Sequence, residues 1–300
     1  MVKTIKAAAL SGGLLLVGLN IAGFFIPLRH PDLYKEPRRY KGTTLTEAQL
    51  RALSNRQQES IESYVSRLNN LVWQSTVHYW RDEGIDKYHI RVPFYENYLL
   101  FIASYLKPAE YRKYEFCNYR KAIDRGVALC SQRATILSQI LARNGVDSRI
   151  VELKGHVVVT VQVDKKNDTW WIADPDYGVV IDHDIATIHT DSEIIKPYYS
   201  ARGYDAETIS NLTGIYATSH RIYQGVKDYR NRKVYYFEYL SYLLIWIIPI
   251  ALICASSSKF FSRLLRGYAG IIPGTTKDFL LRNLAKRFSL VPLCTAIVHE

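Results

Sequence analysis

Cysteine is scarce: four in 300 residues, at positions 117, 130, 254 and 294. So few thiols make no disulfide framework, and with no Cys-x-x-Cys pair there is no zinc knuckle. Acids are missing from residues 1–28, where Lys3 and Lys6 stand alone. They are nearly missing from residues 256–300, where seven Lys and Arg face only Asp278 and Glu300. Of the net charge of +11, the rest of the chain keeps only +4. That excludes the basic stripe of a nucleic-acid binder, and it leaves the basic excess beside apolar ends, where anionic lipid headgroups suit it. Charged residues make up 22% and hydrophobic ones 48%, with 23 Tyr, a composition that excludes wholesale disorder.

Charge is absent altogether from residues 7–28 and 239–255. At about 1.5 Å per residue the first, as a helix, can cross a hydrocarbon core of ~30 Å. It is too long for a cleaved export signal and lacks an Ala-x-Ala site, so an uncleaved signal anchor is expected over 1–28. A second transmembrane helix is expected over 235–256, with Tyr235, Tyr236 and Tyr242 as interfacial aromatics and Pro249 as a kink; a buried core helix is the alternative. Lys and Arg flank the two spans equally on both sides, so the positive-inside bias does not orient the chain. A short basic head before an N-terminal anchor favours export of the chain beyond it, which puts the central domain outside the cytoplasm and both tails inside. Residues 257–300 form a basic tail in which Phe260, Phe261, Leu264, Leu265, Phe279, Leu280, Leu281 and Leu284 alternate with cations. It reads as amphipathic helices lying on a membrane or packed on the rest of the protein.

The central domain, 29–234, begins helically. Leu50, Leu53, Ile61, Tyr64, Val65, Leu68 and Leu71 give residues 45–80 a helical period, with Thr44 and Glu47 placed as a capping box. Residues 95–106 form another helix, stopped by Pro108, and the helical part runs over about 44–125. From Cys130, the side chains of Ala134, Leu137, Ile140 and Leu141 share one helical face, Arg143 stands in the last turn and Gly145 follows. Residues 149–153, 156–163, 169–174 and 179–181 read as strands, and 165–168 as a polar hairpin loop. A helix followed by antiparallel strands is an α+β arrangement, with a core at about 126–181.

Three residues in that core suit one chemistry. Cys130 opens the helix, where the dipole and unpaired N–H groups favour a thiolate. His156 opens a strand, and an imidazole beside a thiol takes its proton and later returns it to a leaving amine. Asp174 closes the next strand, and a carboxylate on the far ring nitrogen fixes tautomer and orientation. The pairing must also allow it. If paired residue numbers across the hairpin sum to 330, His156 and Asp174 are directly opposite; a turn centred on Lys166 gives 332 and makes them diagonal neighbours on one face. An odd sum would separate them. Pro175 cannot donate to the ladder and marks Asp174 as a strand end.

These residues resemble the transglutaminase-like superfamily of papain-like thiol enzymes. The resemblance rests on Cys130 with Ala134, Gly145-Val146 with Arg149, His156, and Trp170-Trp171 before Asp174-Pro175, and it covers roughly 126–180. The chain departs from the family's pattern at Ala128, where a Gly is usual, and at Val157-Val158, where an aromatic is. The resemblance implies a papain-like core and acyl transfer: Cys130 as nucleophile, His156 as base then acid, Asp174 as its orienter, and the Cys130 N–H as oxyanion donor. A protein or peptide amide is the implied substrate. A thioester goes on to water or an amine, with hydrolysis preferred, and no metal or organic cofactor is required.

Each residue has a plainer alternative. Cys130 could be a small buried hydrophobe or pair with Cys117 in a disulfide. His156 could be a strand-edge histidine and Asp174 a turn former, with Asp176 the rival carboxylate. His183 and His189 could join Cys130 around a metal, although no ligand spacing supports it. Asn167 and Asn211 begin glycosylation sequons. The tyrosines at 111–119 and at 198, 199 and 204 suit either stacking on a sugar or peptide, or packing. For the whole chain, the alternatives are a non-catalytic subunit of a membrane complex and a lipid-surface protein that acts through its basic tail.

Overall fold

A computed structural model of the chain describes residues 2–35, 45–79, 81–230 and 232–257. The chain divides into two compact units. One is Leu14–Pro249; the other takes the two chain ends, of which 2–13 and 250–257 are described. In chain order the helices are α1 (Val2–Gly23), α2 (Glu47–Ser54), α3 (Ile61–Ser75), α4 (Gly84–Lys87), α5 (Tyr98–Leu106), α6 (Pro108–Tyr111), α7 (Tyr119–Arg125) and α8 (Cys130–Arg143). After strands β1 (Ser148–Leu153), β2 (His156–Asp164), β3 (Thr169–Asp174) and β4 (Val179–Ile181) come α9 (Ile185–Thr190), α10 (Lys196–Ala201) and α11 (Ala206–Tyr216). Strand β5 (Arg221–Tyr223), α12 (Val226–Tyr229) and α13 (Arg232–Ser256) complete the described chain.

The α+β class expected from the sequence is what the chain adopts: one antiparallel sheet of order β4-β3-β2-β1-β5, with the helical part before it. Alternation along the strands divides the core in two. Val157, Val159 and Val161 of β2 pack with Leu68 and Val72 of α3 and Ile136, Leu137 and Ile140 of α8. Val158 and Ile172 face the other way, onto Ile188, Ile195, Tyr199, Leu212 and Tyr216. The sheet is therefore covered on both faces, and β2 is buried along most of its length.

Several expectations need correction. Where one helical stretch was expected over 45–80, the described residues form two helices, Glu47–Ser54 and Ile61–Ser75. Between them Arg67 donates to the carbonyl of Asn55, 3.2 Å, and pairs with Glu59, while Ser60 caps α3 by accepting from the Ser63 N–H, 3.2 Å. The capping box of α2 is Thr46 with Gln49, both halves present, and Thr44 lies outside the described residues. α5 starts at Tyr98 because Asn97 accepts from the N–H groups of both Leu99 and Leu100 at 3.1 Å. Strand β5, only three residues long, had no periodic signal. The amphipathic tail falls outside the described residues.

The run 239–255 is helical within α13, but the first run is helical only to Gly23, where α1 ends short of the expected Leu28; each helix is long and apolar enough to cross a membrane. Only 11% and 17% of their apolar windows are buried, unlike a core helix. The buried residues of α13, Glu238, Ser241, Ile245 and Pro249, recur at intervals of three and four and so line one face. Glu238 is buried there and accepts from the Tyr114 hydroxyl at 2.9 Å, the Cys117 N–H at 2.8 Å and the Asn118 N–H at 3.3 Å. Burial raises the Cys117 thiol pKa far above its ordinary range, with the Glu238 charge adding to it. Glu238→Ala strands these three donors and is expected to cost about 3 kcal/mol of folding stability, whereas exposed Leu240→Ala should stay within about 0.5 kcal/mol. Denaturant unfolding of the detergent-solubilised chain checks the contrast.

Candidate active site

The thiol stands at the first position of α8 because Leu129, the residue before it, is extended and the helix begins without a side-chain cap. By contrast, α2, α3, α5, α7, α9 and α11 are all capped by Thr, Ser, Asn or Asp side chains. The opening N–H groups of α8 point out of the helix with no intrahelical acceptor. The first helical bond is from Arg133 N–H to Leu129 C=O, 2.9 Å. Cys130 is part-exposed, Cys117 is buried and both thiols are free, so the disulfide alternative does not occur.

The imidazole is placed by a tight hairpin. Leu153 pairs with His156 across Lys154-Gly155, and Gly155 takes φ of +90°, a conformation open mainly to glycine. Between β2 and β3 the register is Val159↔Ala173 and Thr160↔Ile172, a sum of 332. His156 and Asp174 are thus diagonal neighbours on one face. Next to the loop Asp164 pairs with Thr169, a sum of 333, so the turn is not centred on Lys166 and the even register at the site depends on the β-bulge between Gln162 and Asp164.

The three groups come together. His156 Nε2 lies 2.8 Å from Asp174 Oδ2, and Cys130 stands close enough to the same ring to act on its charge. Asp174 occupies Nε2, so Nδ1 is the ring nitrogen not engaged by the carboxylate. The ring is 4% exposed, and Tyr177 packs on it edge-on, 5.5 Å between centroids. Burial alone would make the ring harder to charge. The Asp174 carboxylate outweighs it and, with Cys130, holds His156 well above its ordinary pKa.

Asp174 is fully buried and meets four donors. Oδ2 accepts from His156 and from the Tyr199 hydroxyl at 2.6 Å; Oδ1 accepts from the N–H groups of Asp176, 2.9 Å, and Tyr177, 3.3 Å. Behind Tyr199 stands the Tyr216 hydroxyl, at 3.1 Å. Burial, then the Asp174 charge, raises the pKa of both phenols far above their ordinary range, so both remain donors. Asn69 of α3 donates to the Asp174 carbonyl at 3.2 Å and to the Val179 carbonyl at 3.0 Å, which pins the end of β3.

The rival carboxylate, Asp176, is engaged elsewhere. It bonds His78 Nδ1 at 2.7 Å and Arg133 at 3.2 Å. Its own burial opposes the charge, yet His78 and Arg133 hold it well below the usual carboxylate range. The metal alternative also fails: His183 faces Asp182 and Tyr198, His189 faces His220, and the described residues hold no group of three metal-ligating side chains. Of the tyrosines noted in the sequence, Tyr199 holds Asp174, and Tyr204 donates to the Tyr177 carbonyl at 2.7 Å. Tyr216, Asn69, His78 and Arg133 were not anticipated, because no local pattern ties them to residues 174–176. No family model, curated protein or solved structure matches the chain.

A raised folded-state pKa means that the His156–Asp174 pair contributes stability fully present below the unfolded value of about 6.5. That contribution is lost as pH rises through the folded value. Asp174→Asn removes the opposing charge and leaves burial to dominate, so His156 should titrate below its ordinary range. NMR of the imidazole nitrogens reads this directly. The gap in unfolding free energy between parent and variant should be widest near and below pH ~6.5 and close as the pH rises.

Proposed function

We propose that the chain is a membrane-anchored thiol enzyme of transglutaminase-like type, acting on amides through a covalent thioester. The observation that carries this reading is the buried His156–Asp174 pair, 2.8 Å apart, with Cys130 at the start of α8 close enough to act on the ring's charge. A charged imidazole puts positive charge beside the sulfur, which favours the nucleophilic thiolate. Cys130 Sγ attacks the carbonyl carbon of a protein or peptide amide, and the electron pair moves to oxygen. The N–H groups at the uncapped start of α8 are placed to receive that oxyanion. As the C–N bond breaks, His156 gives its proton to the amine, which leaves. The thioester then passes its acyl group to water, with His156 taking the proton and the thiolate returning; an amine in place of water would give transamidation instead. Asp174 orients the ring throughout. Helices α1 and α13 anchor the domain, with the central domain outside the cytoplasm and both ends inside.

A second reading, a non-catalytic subunit of a membrane complex, draws on one observation. The cavity beside the start of α8, lined by Tyr79, Phe116, Leu129 and Gln132 among others, does not include Cys130.

Alkylation with iodoacetamide, quantified peptide by peptide, separates the two. Cys130 should react faster than buried Cys117, and His156→Ala should slow it by about tenfold or more. A small activated acyl ester should leave an acyl group on Cys130, and none in Cys130→Ala. A Cys130 no faster than Cys117, together with full biological function of Cys130→Ala and His156→Ala, would establish the assembly role instead.

A further inference from the structure

α5 is a helix whose outer face no described residue of the domain covers. Its sequence, YLLFIASYL, has no charged residue, and its exposed side chains are Ile102, Tyr105 and Leu106, the last two 62% and 76% exposed. Phe94, also exposed, begins an aromatic ladder along this face. It meets Phe101 edge-on at 5.6 Å, and Phe101 meets Tyr105 at 5.2 Å. Water is a poor neighbour for so large a contiguous apolar patch.

The attachment of α5 says what covers it. Asn97, its cap, donates to the Ser241 hydroxyl of α13 at 2.9 Å, and the Tyr98 hydroxyl reaches the Ile245 carbonyl at 3.4 Å. On the other side, a Cβ at Gly23 would fall 2.2 Å from the Tyr95 carbonyl oxygen, so the end of α1 lies directly against the approach to α5. Beyond that end, Phe24 and Phe25 are 75% and 82% exposed, and Phe24 stacks on Trp246 at 5.9 Å. The apolar surface is therefore continuous from α1 and α13 onto α5. The uncharged run of α13 starts at residue 239, so at a helical rise of about 1.5 Å its Ser241 and Ile245 lie roughly 3 and 9 Å into that run. That interval matches the ~5–10 Å depth at which interfacial helices lie. A helix of this length is too short to cross a bilayer. Arg91 lies over the Tyr105 ring at 4.5 Å, and exposed Lys107 follows the helix. Cations and aromatics together are the chemistry of a headgroup layer.

We propose that α5 is an interfacial membrane helix, a third lipid contact that rests its Ile102, Tyr105 and Leu106 face in the headgroup–acyl boundary beside α1 and α13. The lipid surface is the partner, and the proposal rests on the membrane-anchored reading above. Three anchoring elements fix the domain's tilt as well as its height, so the Cys130 site is held at a set distance from the membrane face.

The test uses the full chain in phosphatidylcholine–phosphatidylglycerol vesicles, with and without lipids brominated along the acyl chain. Tyr105→Trp adds a fluorophore to the face, and Trp246 in α13 is read from the difference on Trp246→Phe. The expected result is that bromolipid removes most of the emission added at 105 while aqueous iodide leaves it. Quenching at 105 by iodide, with Trp246 still quenched by bromolipid, would overturn the interfacial placement and leave the anchors intact. Protection at 105 from both quenchers would also overturn it, by showing that protein, such as a second copy, covers the face. A Trp246 untouched by bromolipid would remove the membrane reading itself, and this one with it.

Discussion

One carboxylate ties the structure together. Asp174 is fully buried, and a charge without water must find donors or cost several kcal/mol. Its four donors come from three directions: the hairpin through His156, α10 through Tyr199, and its own turn through the N–H groups of Asp176 and Tyr177. Meeting them requires the β2–β3 register to be even, α10 to be packed on the outer face of the sheet, and the chain after Pro175 to turn back at once. The same demand keeps Tyr199 and Tyr216 as neutral donors, since a second negative charge there would have no counterion. The positioning of His156 is thus a consequence of how the core solves the burial of Asp174.

The neighbouring Asp176 solves a similar problem with different partners. Both carboxylates are buried within three residues of chain, yet one takes neutral donors and the His156 imidazole, and the other takes Arg133 and His78. Arg133 is itself fully buried and also bonds the Asp176 carbonyl at 2.8 Å, so the turn is held through backbone and side chain alike. Two environments on one turn therefore separate an ion pair that braces the fold from a carboxylate left to orient His156.

How much of this was legible depends on the range over which each signal acts. The Cys130 helix and four of the five strands are local, fixed by a repeat of 3.6 or 2.0, whereas the loop allowed an even register without forcing it and a β-bulge supplies it. The split between α2 and α3 was missed because the polar stretch between them keeps helical spacing on either side, and only the turn built around Arg67 and Glu59 reveals the break. The partners of the site were missed for another reason. Asn69 lies 105 residues from Asp174, and His78 lies 98 from Asp176; a single side chain meeting another at that distance leaves no periodic trace. α13 carried two signals at once. Its average is apolar enough for a membrane span, but Glu238 is placed by the domain, and an average hides a single buried acid.

That acid links the two halves of the reading. The loop 114–118 is gripped by Glu238 of α13 on one side. On the other, Gln132 of α8 donates to the Phe116 carbonyl at 3.0 Å and Gln139 to the Cys117 carbonyl at 2.6 Å. Glu115 in the same loop bonds Ser131, the residue after the thiol, and Arg230, just before α13. Glu238, Gln132 and Cys117 are buried, so pulling α13 away from α8 would strand polar groups where no water replaces their partners. Such a loop behaves as a strut rather than a tether. The helix that carries the thiol and the long apolar helix α13 are two ends of one buried hydrogen-bond network, and the position of Cys130 depends on the seating of α13.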